Sequence, residues 1–493
     1  MNRHADDDAM QGDDSPPSQS AWEVNEVTPS IFITFWPDQH PPTQTEVLSR
    51  LAEAAPGESE VMGDVPDAEG DGIEWMCVMA PGDDVAPIVV WVEPAQPLEN
   101  FEEETAACGF VIGVETILNP SEPVEAFTRL LRMLALAFPE APLILDVVST
   151  RVFPETTLRE MFVDVDVDPG CECVFAVHTV LAAEDGVPPG YGDEEPDPEA
   201  LVWIHTHGLQ RFFKPDIEMI DVPWRLVEAA TALIDTICEH MLESSSIPEP
   251  GSAFEISDND EVVLQPWQLV AEQLPADAPA SLSMRQQADE QVYAEPDSSP
   301  VGDEDGPPPH GGVRAIICEP LDKRVADEQP AQWNAPLDLL NSISEGTCPL
   351  YRNSMAAERA ARLARATWPE FAMAFADARR MFGDAMDSLD TAPVRFLVKA
   401  GFAVEDDSRS EARMEHLWME AIRFENDVAV CRVLEQPQLT SELNKDDVVP
   451  IQRDQISDWS VMTPLGVFEP RYRTAISEVL RAIQHVFNNR KHE

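Results

Sequence analysis

The chain has 493 residues and a net charge of −60, and a surface this acidic repels nucleic acid and anionic membrane lipids. The hydrophobic fraction of 44% is that of a globular protein. No apolar run reaches the roughly 18 residues that a membrane-spanning helix needs. The composition therefore argues against a nucleic-acid-binding or membrane protein and indicates several globular domains.

The first 27 residues are polar and acidic and lack the apolar segment of a signal peptide, so they are predicted to form a disordered tail. The eight cysteines are scattered and form no CxxC pair. Without an export signal, cysteines of this kind are expected to be reduced thiols in the cytoplasm.

Residues 28–155 are predicted to form an α+β module. Alternating apolar residues predict a strand at 30–36, and four later segments read as strands: "EWMCVMA", "PIVVWVEP", "CGFVIGVETIL" and "PLILDVVS". Apolar residues at helical spacing after Pro123 predict a helix, with Ser121 as its N-cap.

A second α+β module is predicted for residues 156–350. It contains strands at 171–181 and 200–208, followed by a helix for which Asp221 is the predicted cap. The segment 294–312 is rich in Pro, Gly and acidic residues and is predicted to be mobile.

Residues 351–493 are predicted to form a C-terminal helix plus a small β-rich module. A helix begins near Met355, short alternating β segments follow between 394 and 462, and a last helix ends the chain. The predicted fold class is therefore α+β, with two or three mixed α/β sandwich modules and largely antiparallel sheets.

The segment "WIHTHGLQRFF" (203–213) places His205 and His207 near the end of a predicted strand. Residues i and i+2 of a strand face the same side, so both imidazoles are able to bind one divalent metal, as in metal-dependent hydrolases. Asp216, Glu218 and Asp221 follow as possible acidic ligands.

Other features count against a metal. No repeating β–α pattern of a barrel follows, no further set of ligands is evident, and Arg211 and Lys214 beside the pair disfavour a cation. The other interpretation is a strand end at which both histidines bond backbone and carboxylate groups, with Gly208 permitting the turn. In that interpretation the protein holds no cofactor.

Trp418 and Trp459 fall in β-type segments and are predicted to be core or groove residues. Asp458 is predicted to accept hydrogen bonds from backbone N–H groups at a strand end. A binding role for these three residues is the alternative.

The segment around these residues resembles the bacterial family known as domain of unknown function 2314. The matching features are Trp418 in "HLWMEA", Pro437 after the second strand, the turn "NKDDVVPI", and "ISDWSV" with Asp458 and Trp459. The resemblance covers roughly residues 355–470. Upstream, "ILDVVS", "WIHTHGLQRF" and "DIEMIDVP" resemble domain of unknown function 4026. Neither resemblance implies an activity or a catalytic residue.

The expected function is that of a non-enzymatic, cytoplasmic, bacterial protein that binds or regulates another protein. The alternative is a metal-dependent hydrolase that uses His205 and His207. Further candidate residues, for binding or for structure, are Arg211, Glu218, Trp418, Asp458 and Trp459. The sequence does not define an oligomeric state.

The charge is unevenly distributed along the chain. Residues 351–493 contain 19 of the 32 Lys and Arg residues and 23 of the 92 Asp and Glu residues, so their net charge is −4 and that of residues 1–350 is −56. The acidic part favours a basic or neutral partner. The asymmetry also predicts that Arg359, Arg362 and Arg365 dock on the acidic N-terminal part, in an interface that weakens with salt.

Overall fold

The structure is a computed structural model of the chain. It describes residues 22, 28–65, 72–82, 85–98, 100–181, 196–244, 247–257, 260–271, 274, 278, 280–281, 285, 312–320, 334–348, 350, 354–387, 392–404, 413–425, 428–437, 439–441, 443–471, 473 and 475–490.

The described residues contain nine α-helices. They are α1 (Gln44–Ala54), α2 (Glu102–Thr105), α3 (Pro123–Ala137), α4 (Glu155–Leu158), α5 (Val227–Glu243), α6 (Trp267–Ala271), α7 (Leu337–Ser344), α8 (Ser354–Phe382) and α9 (Ile476–Arg490).

The strands of the described residues form three sheets. The first contains β1 (Ser30–Trp36), β2 (Glu60–Asp64), β3 (Trp75–Ala80), β4 (Ile88–Pro94), β5 (Phe110–Thr116), β6 (Leu143–Asp146) and β7 (Arg151–Pro154). The second contains β8 (Ala176–Leu181), β9 (Leu201–His207), β10 (Asp216–Pro223), β11 (Ala253–Glu255), β12 (Glu261–Pro266) and β13 (Arg314–Cys318). The third contains β14 (Arg395–Val404), β15 (Arg413–Glu425), β16 (Val428–Val433), β17 (Val448–Ile451), β18 (Ile456–Thr463) and β19 (Gly466–Phe468).

The first sheet has the order β2-β3-β4-β5-β1-β6-β7 and is antiparallel. Helix α3 packs on it, because its apolar residues recur at helical spacing and are fully buried: Phe127, Leu130, Leu131 and Leu134. The ring of Phe127 meets Phe32 of β1 edge to face at 5.6 Å between centroids. Pro123 is the first helical residue, but Glu122 and not Ser121 occupies the N-cap position.

The second sheet has the order β11-β12-β13-β10-β9-β8, in which β10 and β13 run parallel. Helix α5 covers one face and packs with Ile204 of β9 and Ile217 of β10. The opposite face carries Trp203 and Ile316, which pack with Val270 of α6. The histidines of β9 lie on this second face, because side chains alternate along a strand.

The third sheet has the order β17-β16-β15-β14-β18-β19 and is antiparallel. Helices α8 and α9 pack against one face through Phe371 and Leu480, which join Val398, Met419 and Trp459 of the sheet in one core. The fold is therefore α+β with three largely antiparallel sheets, as predicted.

Most of the buried apolar residues in the described part of the chain belong to two large hydrophobic cores. One cluster joins the first and second sheets and includes buried residues from Trp22 to Leu340. The other extends from Ala364 to Ile483. The C-terminal boundary that the sequence predicts near residue 351 falls between these cores.

One residue of the predicted disordered tail has a defined place in the first core. Trp22 is 3% exposed, and its Nε1 donates a hydrogen bond to the carbonyl oxygen of Pro248 at 2.6 Å. A tryptophan side chain buries a large apolar area. Trp22 therefore packs into the core although residues 1–27 are mostly polar and acidic. The other residues of 1–27, and 294–311 of the predicted mobile segment, lie outside the described residues.

Arg359 joins the two cores. Its guanidinium is buried and forms ion pairs with Glu125 of α3, at 2.9 Å, and with Glu243 of α5. This docking of Arg359 on the acidic N-terminal part was predicted. Arg362 is exposed instead, and Nε of Arg365 donates to the carbonyl oxygen of Ile456 within the C-terminal module. The salt dependence of the interface stays a prediction.

Two further arginines reach across the same interface. The backbone N–H of Arg473 donates to Oε2 of Glu160 at 3.3 Å, and its guanidinium donates to the carbonyl oxygen of the same residue at 3.2 Å. Arg471 pairs with Glu172. The C-terminal module is therefore held by basic residues on acidic ones.

Two local predictions differ from the structure. Asp221 does not cap a helix: it lies in β10 with φ of 56°, where the pairing with β9 shifts register. Cys171 and Cys173 lie in a 3₁₀ turn before β8 and not on a strand face. In both cases tertiary packing decides the backbone conformation over local propensity. Among the described residues, no helix is long and apolar enough to cross a membrane.

Candidate functional site

The predicted pair of histidines lies on one face of β9, and a third histidine joins it. His178 of β8 pairs with His205 in the antiparallel register. The ring centroids of His178 and His207 are 4.9 Å apart, as are those of His205 and His207. We call His178, His205 and His207 the histidine cluster.

The histidine cluster lies at the junction of the first and second sheets. His205 and His207 are buried. Nε2 of His178 is 3.1 Å from Thr150 Oγ1 and 3.4 Å from the carbonyl oxygen of Ser149, both in the turn after β6. Burial, together with the positive charge of Arg314, lowers the pKa of His178. Burial thus favours the neutral form of His178, which bonds the turn after β6.

Gly208 ends β9 in the conformation that the sequence predicted. Its φ is 115°, a region that residues with a Cβ rarely adopt. A Cβ at this position would lie 2.8 Å from the carbonyl oxygen of Val174. The turn after the histidines therefore requires glycine.

Glu218 of β10 pairs in register with His205 of β9, but its carboxylate is held by two arginines. Its carboxylate binds Arg285 at 2.8 Å and Arg314 at 3.0 Å, and all three side chains are buried. We call Glu218, Arg285 and Arg314 the buried charge cluster. The Arg285 guanidinium lies between the rings of Trp203 and Trp267, at 4.8 and 4.7 Å from their centroids. Burial alone would raise the pKa of Glu218, but the two guanidinium groups lower it below its usual value.

Asp216 also has partners within the protein. Its carboxylate accepts hydrogen bonds from Thr206 Oγ1 at 3.1 Å, from the backbone N–H of Leu209 at 3.1 Å and from Gln210 Nε2 at 2.9 Å. Burial raises its pKa. These bonds anchor the turn between β9 and β10.

Arg211 connects the second sheet to the first. Its guanidinium forms two hydrogen bonds with Asp146 at the end of β6, at 3.2 and 2.7 Å, and both side chains are fully buried. Ser149 Oγ donates to the same carboxylate at 2.5 Å. Arg211 is therefore a structural residue in this fold.

The donor groups near the histidine cluster do not form a metal centre. Among the described residues, no three or more His, Cys, Asp or Glu side chains are arranged to hold a metal ion. Of the three acidic ligands that the sequence offered, Asp216 and Glu218 are occupied by hydrogen bonds and guanidinium groups, and Asp221 lines a separate cavity. The metal-site alternative gains no support from this geometry.

We expect the purified protein to contain no stoichiometric zinc, iron or manganese. Elemental analysis of the intact protein, with the His205→Ala, His207→Ala double variant beside it, measures this directly. A stoichiometric metal that disappears in the double variant would contradict the prediction and favour the hydrolase alternative.

We also expect the free energy of unfolding to fall as the pH is lowered through about 6.5. The pKa of His178 is below 6.5 in the folded protein, so the unfolded chain takes up this proton first and acid favours unfolding. One such group changes stability by at most ~1.4 kcal/mol per pH unit.

Urea titrations between pH 7.5 and 5.5 test this expectation. The variant His178→Asn should show a shallower dependence on pH than the wild type. The variant His40→Asn, at an exposed position, serves as the control and should keep the full slope. An identical slope in His178→Asn and wild type would refute the assignment.

A separate cavity of about 300 Å³ lies beside β10 and α7. It is lined by Asp221, Glu319, Asn334, Ala335, Leu337 and Asp338. Burial raises the pKa of Asp221. The carboxylates suit a positively charged group, but no second observation points to a ligand there.

The two tryptophans of the C-terminal module have different environments. Trp459 is fully buried, and its Nε1 donates to Thr367 Oγ1 of α8 at 3.0 Å. Asp458 Oδ1 accepts the backbone N–H of Trp459 at 2.8 Å, so this carboxylate caps backbone within the strand. Trp418 projects from the opposite face and is 36% exposed.

Trp418 is part of a polar surface on the face of the third sheet that α8 and α9 do not cover. Its register partner on β14 is Lys399, whose Nζ lies 5.6 Å from the Trp418 ring centroid. Lys399 in turn pairs in register with Asp458 of β18. The neighbouring row contains Glu420, which pairs with Arg395 at 3.0 Å and Arg432 at 4.0 Å. We call this surface the exposed C-terminal face.

His416 lies on the same face next to Trp418. Its Nδ1 is 2.9 Å from Ser457 Oγ. Gly401 of β14 lies directly beneath it, since a Cβ there would be 3.1 Å from His416 Cε1 and 3.0 Å from Met414 Cε. Glycine thus makes room for an imidazole that lies against the sheet.

Several residues of these surfaces were not predicted from the sequence. For the exposed C-terminal face a signal existed, because His416, Trp418 and Glu420 alternate along β15 and therefore share a face. For the histidine cluster, His178 lay in a predicted strand, but its pairing partner was not assigned. No local signal points to Arg285 or Asp146 as partners of Glu218 and Arg211.

Two segments of the chain match known family models. Residues 354–467 match the model described as an uncharacterized protein conserved in bacteria (DUF2314), and residues 191–296 match the C-terminal part of a protein of unknown function (DUF4026). Both resemblances predicted from the sequence are confirmed, although "ILDVVS" lies outside the matched residues. No curated protein and no solved structure matches the chain. Over these segments the chain is thus similar to two families of unknown function, one of them conserved in bacteria.

Proposed function

We propose that this is a non-enzymatic cytoplasmic protein that binds another protein through the exposed C-terminal face. The observation that carries the proposal is the position of Trp418, which lies partly exposed on an ordered sheet beside Lys399 and a row of arginines. Tryptophan and arginine are the residues most enriched at the energetic centres of protein interfaces.

Exposed apolar side chains surround this centre and support the proposal. Large exposed hydrophobic residues occur at the ends and edges of the third sheet: Met414, Val448, Met462, Leu465 and Val467. Exposed apolar surface bordered by polar residues is typical of a surface that a partner covers. The helices α8 and α9 occupy the other face of the sheet, and among the described residues no helix packs on this one.

The charge of the chain restricts the partner. The net charge of −56 on residues 1–350 repels acidic proteins and accelerates the approach of basic ones. We therefore propose a partner that is basic or neutral as a whole. The cytoplasmic location is supported by the eight cysteines, all of which are free.

Site-specific photocrosslinking tests the proposed function. A photoreactive amino acid replaces Met414 on the exposed C-terminal face or Met373 on α8, both exposed, and crosslinking is carried out in cells that express the protein. We expect a defined crosslinked partner from position 414 and none of the same mass from position 373.

The variant Trp418→Ala then measures the contribution of the face. We expect the partner to bind about 30-fold more weakly. This corresponds to the loss of about 2 kcal/mol of binding free energy that is typical when a central interface residue is truncated. Equal crosslinking from both positions, or unchanged affinity in Trp418→Ala, would overturn the proposal.

A further inference from the structure

We propose that the partner contacts the exposed C-terminal face with a segment that has carboxylate groups at its centre and apolar side chains at both ends. This inference rests on the proposed function and specifies the chemistry of the segment that binds. It follows from which charges of the face are accessible and from where the apolar residues lie around them.

The two arginines of the face are more accessible than the glutamate that they share. The side chains of Arg395 and Arg432 are 34% and 27% exposed, whereas that of Glu420, to which both are paired, is 12% exposed. The carboxylate therefore lies low on the sheet and the guanidinium groups above it. A partner therefore contacts the guanidinium groups before the carboxylate. Guanidinium groups form bidentate hydrogen bonds with carboxylates.

Lys399 extends this positive row to the neighbouring part of the sheet. Its ammonium group lies over the Trp418 ring, which holds it near the surface by a cation–π interaction. Asp458, its register partner on β18, uses Oδ1 for the backbone of Trp459. The face thus carries Arg395 and Lys399 on β14 and Arg432 on β16, with β15 between the two strands.

Apolar residues lie near both ends of β14. Met462 pairs in register with Arg395 on one side and with Val467 on the other, and Met414 lies near the far end of β14 and β15. A segment that crosses the row therefore meets apolar side chains before and after the cations. Carboxylates at its centre and apolar residues at its ends match this order.

A local carboxylate is compatible with a partner that is basic or neutral overall. Net charge acts over about a Debye length, roughly 8 Å at physiological salt, and sets the rate of approach. Hydrogen-bonded charges act at contact distance and determine how the partner is oriented on the face. The two requirements concern different parts of the partner.

Synthetic peptides test the inference with the full chain. Three fluorescent peptides share the same apolar residues at both ends and differ only in having Glu, Gln or Lys at the central positions. We expect the Glu peptide to bind at least about tenfold more tightly than the Lys peptide. Fluorescence anisotropy at constant salt measures the three affinities.

Two variants locate the binding. Lys399→Gln and Arg432→Gln should each weaken binding of the Glu peptide, and their thermal unfolding shows whether each is folded. Arg380→Gln is the matched control, because this arginine is exposed on α8, and it should bind as the wild type does. Retained binding in both face variants overturns the inference, as does equal or tighter binding of the Lys peptide.

The crosslinking and peptide experiments together distinguish failure of this inference from failure of the proposed function. A crosslinked partner at position 414 without preference for the Glu peptide would overturn the inference and leave the proposed function in place. Loss of both the crosslink and the peptide binding would overturn both.

Discussion

Replacing Glu218 with glutamine is expected to lower the free energy of unfolding by about 3–5 kcal/mol. The substitution keeps the shape of the side chain but removes the charge that compensates Arg285 and Arg314. Both guanidinium groups are buried, so the loss of the carboxylate charge that they share is costly in a poorly solvated environment. Removing one partner of a buried ion pair costs more than the pair itself contributes.

Urea unfolding followed by tryptophan fluorescence measures this effect, since Trp203 and Trp267 enclose Arg285. The control is Glu199→Gln, whose partner Arg225 lies in a largely exposed pair. An exposed pair contributes about 1 kcal/mol or less. A loss below about 1 kcal/mol in Glu218→Gln would mean that water or another group solvates the two arginines.

Replacing Arg359 with glutamine is expected to release the C-terminal core from the rest of the protein. The substitution leaves the carboxylates of Glu125 and Glu243 without their shared cation, and Glu243 is almost fully buried. The docked state should become less stable relative to the undocked state by about 3 kcal/mol. This corresponds to an approximately 100-fold larger population of the undocked state. Because the Arg359 pairs are buried, moderate salt should weaken them less than the substitution does.

Small-angle scattering and thiol labelling together detect the release. Cys171 is buried beside Arg359, and 3.7 Å separates Nη1 of Arg359 from Sγ of Cys171. Burial, reinforced by Glu243, raises the pKa of its thiol. We expect faster labelling of Cys171 and a larger radius of gyration in Arg359→Gln. The control Arg362→Gln changes an exposed arginine one turn further along α8 and should alter neither quantity. Unchanged scattering and labelling in Arg359→Gln would show that other contacts hold the cores together.

The parts of this protein that depend on local pattern were predictable from the amino-acid sequence. Alternation of apolar residues located β1, β9 and β15, and helical spacing located α3, because burial on one face imposes a period on the chain. The same rule placed His205 and His207 on one face of a strand. The net charges of the two parts of the chain predicted that Arg359 docks on the acidic part.

The tertiary structure alone decided which distant residues meet. Arg285 and Glu218 are 67 residues apart in the sequence, and Arg359 and Glu125 are 234 apart, and ion pairs over such separations leave no periodic signal. Strand register decided that Trp459 enters the core while Trp418 faces outward, although both tryptophans lie in similar β segments. Register also brought His178 to His205 and set Asp221 in a strand, because pairing with neighbouring strands outweighs the local preference of a single residue.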